Sequence, residues 1–129
     1  MPSIFSRIVS GEIPCYKVAE NEEFLAFLDI MPLSKGHTLV IPKVETDYIF
    51  DIEDDSYRRL WIFAKDVSKR LKKQIPCKRI GVSVVGLEVP HAHIHLIPIN
   101  QIEDMNFSKE KLSMSSEELA LVASKLLNS

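Results

Sequence analysis

Apolar residues recur along this chain with two periods. Short continuous or alternating runs read as strands, and runs that return every third or fourth position read as helices. Ser3 is placed to cap a short helix over Ile4 to Ser10, which turns Phe5, Ile8 and Val9 inward before Gly11 ends it. Pro14 to Ile30 reads as a hairpin, its arms around Tyr16 to Ala19 and Phe24 to Asp29 flanking the turn-forming Glu20-Asn21-Glu22. After a loop over Met31 to Gly36, His37-Thr-Leu-Val-Ile41 has the make-up of a buried strand stopped by Pro42. Asp51 to Asp55 offer N-caps and negative charge to a second helix, on which Leu60, Ala64, Val67 and Leu71 form an apolar stripe. Trp61 and Phe63 stand off that stripe, where they either fill a wide core or meet a second copy of the chain. Ile80 to Val85 and His91 to Ile97 read as two more strands, joined by Gly86-Leu-Glu-Val-Pro90. A capping box, Ser115-Ser-Glu-Glu118, opens a last helix carrying Leu119, Val122, Ala123 and Leu126.

The pattern is that of an α+β chain, and its 129 residues, 46% apolar and 26% charged, suit one domain around one core. A net charge of −2 argues against a general nucleic-acid or membrane surface, which needs a clustered basic excess. The start of the chain lacks the apolar core of a signal peptide, and no later run approaches the ~20 apolar residues of a membrane span. A soluble, cytoplasmic protein is expected. Cys15 and Cys77 fit no disulfide framework and read as thiols in a reducing compartment.

The chemistry lies in the histidines. Three of the four stand at alternate positions in Pro90-His-Ala-His-Ile-His-Leu-Ile-Pro98. On a strand, alternate residues share a face at ~6.7 Å spacing, so His91, His93 and His95 form a row while Ala92, Ile94 and Leu96 face a core. Packing alone explains such a row poorly, because every buried ring has two nitrogens to satisfy. A zinc or copper site is one alternative, with further ligands from elsewhere. The row suits phosphoryl chemistry better: a neutral imidazole attacks phosphorus while neighbouring imidazolium and backbone N–H groups stabilise charge on oxygen.

The chain resembles the histidine-triad (HIT) family, whose signature His-x-His-x-His stands here as His91-Ala-His93-Ile-His95-Leu-Ile. The likeness extends through Ile4-Phe5 with Ile8-Val9-Ser-Gly-Glu-Ile-Pro14, Phe24-Leu-Ala-Phe-Leu-Asp29-Ile, Gly36-His37-Thr-Leu-Val-Ile-Pro-Lys43 and Gly86-Leu-Glu-Val-Pro-His91, covering roughly residues 3 to 100. Residues 1–129 would then be one HIT domain, with an antiparallel sheet of about five strands, two main helices and a C-terminal extension whose helix spans about 116–127. The resemblance implies a homodimeric hydrolase or transferase of the phosphoramidase branch, acting at the α-phosphate of purine nucleotide conjugates. His93 would be the nucleophile, His95 would contact the phosphate or leaving group, and His91 and His37 would complete and orient the site. Asp29 would take the ribose hydroxyls. Phe5, Ile8, Phe27 and Ile30 would hold the base, and Gly86 with Glu88 and Val89 would approach the phosphate.

The chain also departs from that family. Many members hold a structural zinc through Cys-x-x-Cys near the start and a histidine soon after Ile-Pro-Lys, positions occupied here by Ser3-Ile-Phe-Ser6 and Glu45. Neither metal nor cofactor is therefore expected. Ile80, Val82 and Leu87 replace an asparagine, a glycine and a glutamine common around the phosphate loop, and Ile99 replaces a frequent arginine. Those replacements support an alternative, a nucleotide-binding or interaction protein with little turnover.

Overall fold

The computed structural model describes residues 2–128, so Met1 and Ser129 of the expected domain lie outside the described residues. The chain runs α1 (Ile4–Val9), β1 (Lys17–Glu20), β2 (Phe24–Leu28), β3 (Thr38–Pro42), α2 (Asp54–Gln74), β4 (Arg79–Ser83), β5 (Ile94–Ile99) and α3 (Ser116–Leu127), with short 3₁₀ turns at Ile49–Asp51 and Ile102–Met105. All neighbouring strands are antiparallel, in the order β1-β2-β3-β5-β4.

Local chemistry sets the boundaries. Ser3 Oγ accepts the Ser6 N–H and starts α1, and Gly11, at φ +83°, ends its last turn. Asn21 Oδ1 accepts the N–H groups of Glu23 and Phe24, closing the β1–β2 hairpin. Glu53 caps α2 through the N–H groups of Asp55 and Ser56. Ser115 and Glu118 form both halves of the capping box on α3.

The sheet has two different faces. Phe24, Ala26, Leu28, Val40, Ile94 and Leu96 join the expected stripe Leu60, Ala64, Val67 and Leu71 of α2, and Leu119, Val122, Ala123 and Leu126 of α3, in the main core. Trp61 and Phe63, both partly buried, pack against the rim of this core. On the other face, Leu25, Phe27, Leu39 and Ile41 form a smaller cluster covered by Phe5 of α1. Among the described residues neither α2 nor α3 packs on this face.

A further segment lies on this second face. After β5 the 3₁₀ turn seats Met105 against Gly81, whose absent side chain makes the room: a Cβ there would stand 2.7 Å from Met105 Sδ. The chain then crosses back until the Leu112 N–H donates to Pro32 O at 2.8 Å, and continues to α3. Between Ile97 and Ser115 the apolar pattern had indicated no element.

Candidate active site

Strand register assembles the first part of the site. Leu28 pairs with Thr38, so Asp29 and His37, one residue beyond each, become neighbours, and the Asp29 N–H donates to His37 O at 2.9 Å. His95 lies on β5 opposite Leu39, which carries its ring to His37. β5 itself begins only at Ile94, three residues later than the apolar pattern indicates. The amides of His91 and Ala92 are taken by Val89 O and Thr46 O, so loop hydrogen bonds replace the sheet ladder there. The alternation of facing nevertheless persists: Ala92 joins the main core, while Phe5 meets the rings of both His91 and His93 edge-on, at 5.8 and 5.0 Å between centroids.

The hydrogen bonds dictate which nitrogen of each ring bears a proton. The Leu33 N–H donates to His37 Nδ1 at 3.0 Å, so His37 carries its proton on Nε2. That N–H donates to His95 Nδ1 at 2.9 Å, which leaves the His95 proton on Nε2. His93 donates its Nδ1–H to His91 O at 2.8 Å, so the neutral ring has its unprotonated nitrogen at Nε2. His91 uses both nitrogens internally, donating Nε2–H to Pro42 O at 2.8 Å and accepting Ser3 Oγ–H at Nδ1 at 2.7 Å. Its ring is fully buried, so of the row of three only His93 and His95, with rings 4.9 Å apart, remain for a ligand.

Burial opposes charge on His37, His95 and His91. Desolvation lowers the pKa of His37 from 6.5 to about 3 and that of His95 to about 4, the charges of neighbouring histidines adding to the effect. It lowers His91 too. With its pKa lowered in this way, His95 acts as a neutral N–H donor at neutral pH. Burial raises the Asp29 carboxyl above its ordinary value, against the Met31 N–H that donates to Oδ1 at 2.9 Å.

The other expected site residues fall around this centre. Phe5 and Phe27 meet edge-on at 5.5 Å, and Ile8 and Val89 pack onto the same cluster. Ile30 is exposed beside Asp29. Gly86 adopts φ +72°, a left-handed backbone that favours glycine; open space surrounds its Cβ position, so conformation and not close approach accounts for the residue. Glu88 is exposed, and its charge is felt at Asp29.

Two of the three loop replacements prove remote. Ile80 and Val82 pair with Pro98 and Leu96 and therefore face the helix side, away from the histidines. Leu87 alone belongs to the loop, where it is 88% exposed. The register brings Ser83 directly opposite His95, on the histidine face. Sequence reasoning missed Ser83, and it also missed Phe107, whose ring lies 4.9 Å from that of His95 and 6.4 Å from that of His37.

The residues at the family's zinc position do not fit that metal. Glu45 Oε1 accepts the Ser3 N–H at 2.6 Å and the Ser6 Oγ–H at 2.7 Å, and Ser3 Oγ–H occupies His91 Nδ1. Two hydroxyls and a carboxylate replace soft thiolates, and their hydrogen bonds already close the cluster. Asp29, His37 and His95 also bring potential ligand atoms within 4.8 Å of one another. His37 Nε2 and His95 Nδ1 are hydrogen-bonded to each other at 2.9 Å, and Asp29 Oδ2 stands 3.7 Å from His37 Nε2.

Fold and site together define a small α+β protein that presents one unprotonated imidazole nitrogen beside one imidazole N–H donor. The family model for the HIT domain matches residues 10–102, and the chain belongs to that family. It is 36% identical over 123 residues to an uncharacterized HIT-like protein of Borreliella burgdorferi, covering 89% of this chain and 88% of that one. It is 39% identical over 99 residues to an adenosine 5′-monophosphoramidase of Schizosaccharomyces pombe, covering 76% and 74%. The crystal structure of a Hit-like protein involved in cell-cycle regulation from Bartonella henselae superposes with a TM-score of 0.85 at 28% identity, covering 98% of this chain and 94% of that one. Membership of this family supports nucleotide hydrolase activity in general terms.

The neutral rings give stability a definite pH dependence. Unfolded, each imidazole titrates near 6.5; between there and about 3 or 4 the unfolded chain binds protons that the folded one refuses. Stability is therefore fully present above pH 6.5 and falls with pH, by up to about 1.4 kcal/mol per pH unit for each ring. Asp29, shifted upward, offsets part of the loss. The urea midpoint should fall between about pH 7 and 4.5 and fall less steeply in His95→Gln; a flat midpoint would contradict the neutral rings.

Proposed function

We propose that this protein hydrolyses or transfers the nucleotidyl group of purine nucleotide conjugates by attack of His93 Nε2 on the α-phosphorus. The observation that carries this is the pairing of that bare nitrogen with the Nε2–H of His95, on rings 4.9 Å apart. In the first step a bond forms from Nε2 to phosphorus, and the bond to the leaving group breaks with its electron pair. Positive charge then appears on the His93 ring, and its Nδ1–H shares that charge with His91 O. Water attacks phosphorus in the second step, the electron pair returns to Nε2, and the water proton passes to solvent.

Each neighbour has a part in this scheme. His95 donates to an oxygen that gains charge, His37 holds His95 in the donor tautomer, and His91 anchors His93. Asp29 keeps Oδ2 for ribose hydroxyls, with Ile30 beside it, and Phe5, Ile8 and Phe27 supply an apolar slot for the base. The loop of Gly86, Glu88 and Val89 borders the phosphate, and residues 1–129 act as one HIT domain. A cytoplasmic setting suits the two free cysteines, Cys15 and Cys77; no helix among the described residues is long and apolar enough to cross a membrane. The partners are nucleotides, with neither nucleic acid nor membrane, and His93 works without a cofactor.

Incubation with an adenosine phosphoramidate and with a dinucleoside polyphosphate should release AMP with wild type, and His93→Ala should lose at least about a thousandfold of that rate. Equal rates for the two proteins would refute the assignment. AMP binding without turnover of either compound would favour instead the binding protein that Leu87 suggests.

The outer edge of β4 lacks a partner strand among the described residues, and exposed Val82, Val85, Leu87, Tyr48 and Phe50 surround it. Trp61 Nε1 is buried there without a hydrogen-bond partner, beside a cavity of about 340 Å³ lined by Tyr48, Phe50, Val84 and Ala92. An antiparallel strand pairs with a copy of itself about a two-fold axis, and the same axis covers both apolar patches. We assign this face to the homodimer contact. Sedimentation should give a dimer for wild type and a monomer for Val82→Lys; a monomeric wild type would exclude the contact.

A further inference from the structure

His91 is closed to a ligand, yet three separate parts of the chain converge on it. Its Nε2–H donates to Pro42 O at 2.8 Å, its backbone N–H donates to Val89 O at 2.8 Å, and its Nδ1 accepts the Ser3 Oγ–H at 2.7 Å. Ser3 and His91 are both buried, 88 positions apart in the chain. The serine is also the N-cap of α1, because its oxygen accepts the Ser6 N–H at 3.0 Å.

A second hydroxyl competes for the same ring nitrogen: Ser6 Oγ stands 3.4 Å from His91 Nδ1. Glu45 decides between the two. Its Oε1 accepts the Ser3 N–H at 2.6 Å and the Ser6 Oγ–H at 2.7 Å, and these bonds hold its carboxyl below the ordinary range. An ionised carboxylate only accepts, so it draws the Ser6 proton to itself and leaves the single hydroxyl proton of Ser3 for His91.

We propose that Ser3, with its proton directed by Glu45, is a positioning residue for the nucleophile: it fixes the His91 ring, and through it the carbonyl that holds the Nδ1–H of His93. This rests on the attack by His93 proposed above and adds to it two residues that touch no substrate. Held at both ring nitrogens and at its amide, His91 has no freedom to turn its carbonyl away. That carbonyl accepts the His93 Nδ1–H at 2.8 Å and takes up part of the positive charge when Nε2 bonds to phosphorus. Without the Ser3 donor, His91 Nδ1 becomes a buried acceptor lacking its partner, and the ring gains by turning toward another one. His91 O moves with it. The proton of His93 is then no longer confined to Nδ1, and a share of the rings presents Nε2–H to phosphorus and cannot attack.

The test separates the hydroxyl from the helix cap. Glycine caps a helix nearly as well as serine, so Ser3→Gly removes the donor while keeping the start of α1, and Ser3→Thr returns the donor. Single-turnover release of the leaving group from an adenosine phosphoramidate should slow by about ten- to a hundredfold in Ser3→Gly, the range for a small misplacement of a reacting group. AMP affinity measured by calorimetry should stay unchanged, and Ser3→Thr should restore the rate. Glu45→Ala leaves Ser3 in place but frees the Ser6 hydroxyl to compete, and should lose less. Long-range ¹H–¹⁵N spectra at about pH 8 should show the His93 proton on Nδ1 in wild type and Ser3→Thr, and divided between the two nitrogens in Ser3→Gly. A wild-type rate in Ser3→Gly, a rate loss matched by lost AMP affinity, or a rate loss with the His93 proton still confined to Nδ1 would overturn the proposal and leave Ser3 a helix cap. If wild type cleaves no substrate, the function proposed above fails, while the spectra still decide the role of Ser3.

Discussion

The Leu33 N–H donates to His37 Nδ1 with 3.0 Å between the nitrogens, and that one hydrogen bond determines where protons sit on two imidazoles. His37 must then carry its proton on Nε2, His95 must accept it at Nδ1, and His95 is left with an N–H facing outward. Nothing in this chain of bonds requires charge, and burial makes charge expensive. A parallel device fixes His93 through the carbonyl of His91, itself held between Ser3 and Pro42. Two adjacent rings thereby take opposite roles, one bare nitrogen and one donor, without any difference in pH being needed to distinguish them.

The rest of the fold serves that division. The main core, packed by α2 and α3, fixes β2, β3 and β5 and hence the registers that bring Asp29, His37 and His95 together. The opposite face is packed only in part, by α1 and the arm after β5. The cluster of Ser3, Ser6 and Glu45 ties α1 to His91, so the helix that carries Phe5 onto His93 is joined to the triad by hydrogen bonds.

Much of this was legible in the residues themselves. Helical periodicity gave the stripe of α2, a capping box gave the start of α3, and alternation placed the histidines on a face opposite Ala92, Ile94 and Leu96. What escaped was set by distant partners. The carbonyls of Val89 and Thr46 delay β5 to Ile94, and pairing with Leu96 turns Val82 away from the histidine face. The lowered pKa of His95 comes from burial by residues scattered through the chain, which no local pattern reveals. The arm escaped because Phe107 belongs to no periodic pattern, and Gly81, the residue that admits Met105, looks from sequence like any strand glycine.

The tautomers themselves provide the sharpest test, because every proposed role depends on them. Long-range ¹H–¹⁵N correlation spectra of the ¹⁵N-labelled protein distinguish protonated from bare ring nitrogens directly. They should show a proton on Nδ1 of His93, and at neutral pH His37 and His95 neutral and protonated on Nε2 alone. A His93 ring bare at Nδ1, or a His95 imidazolium, would contradict the account.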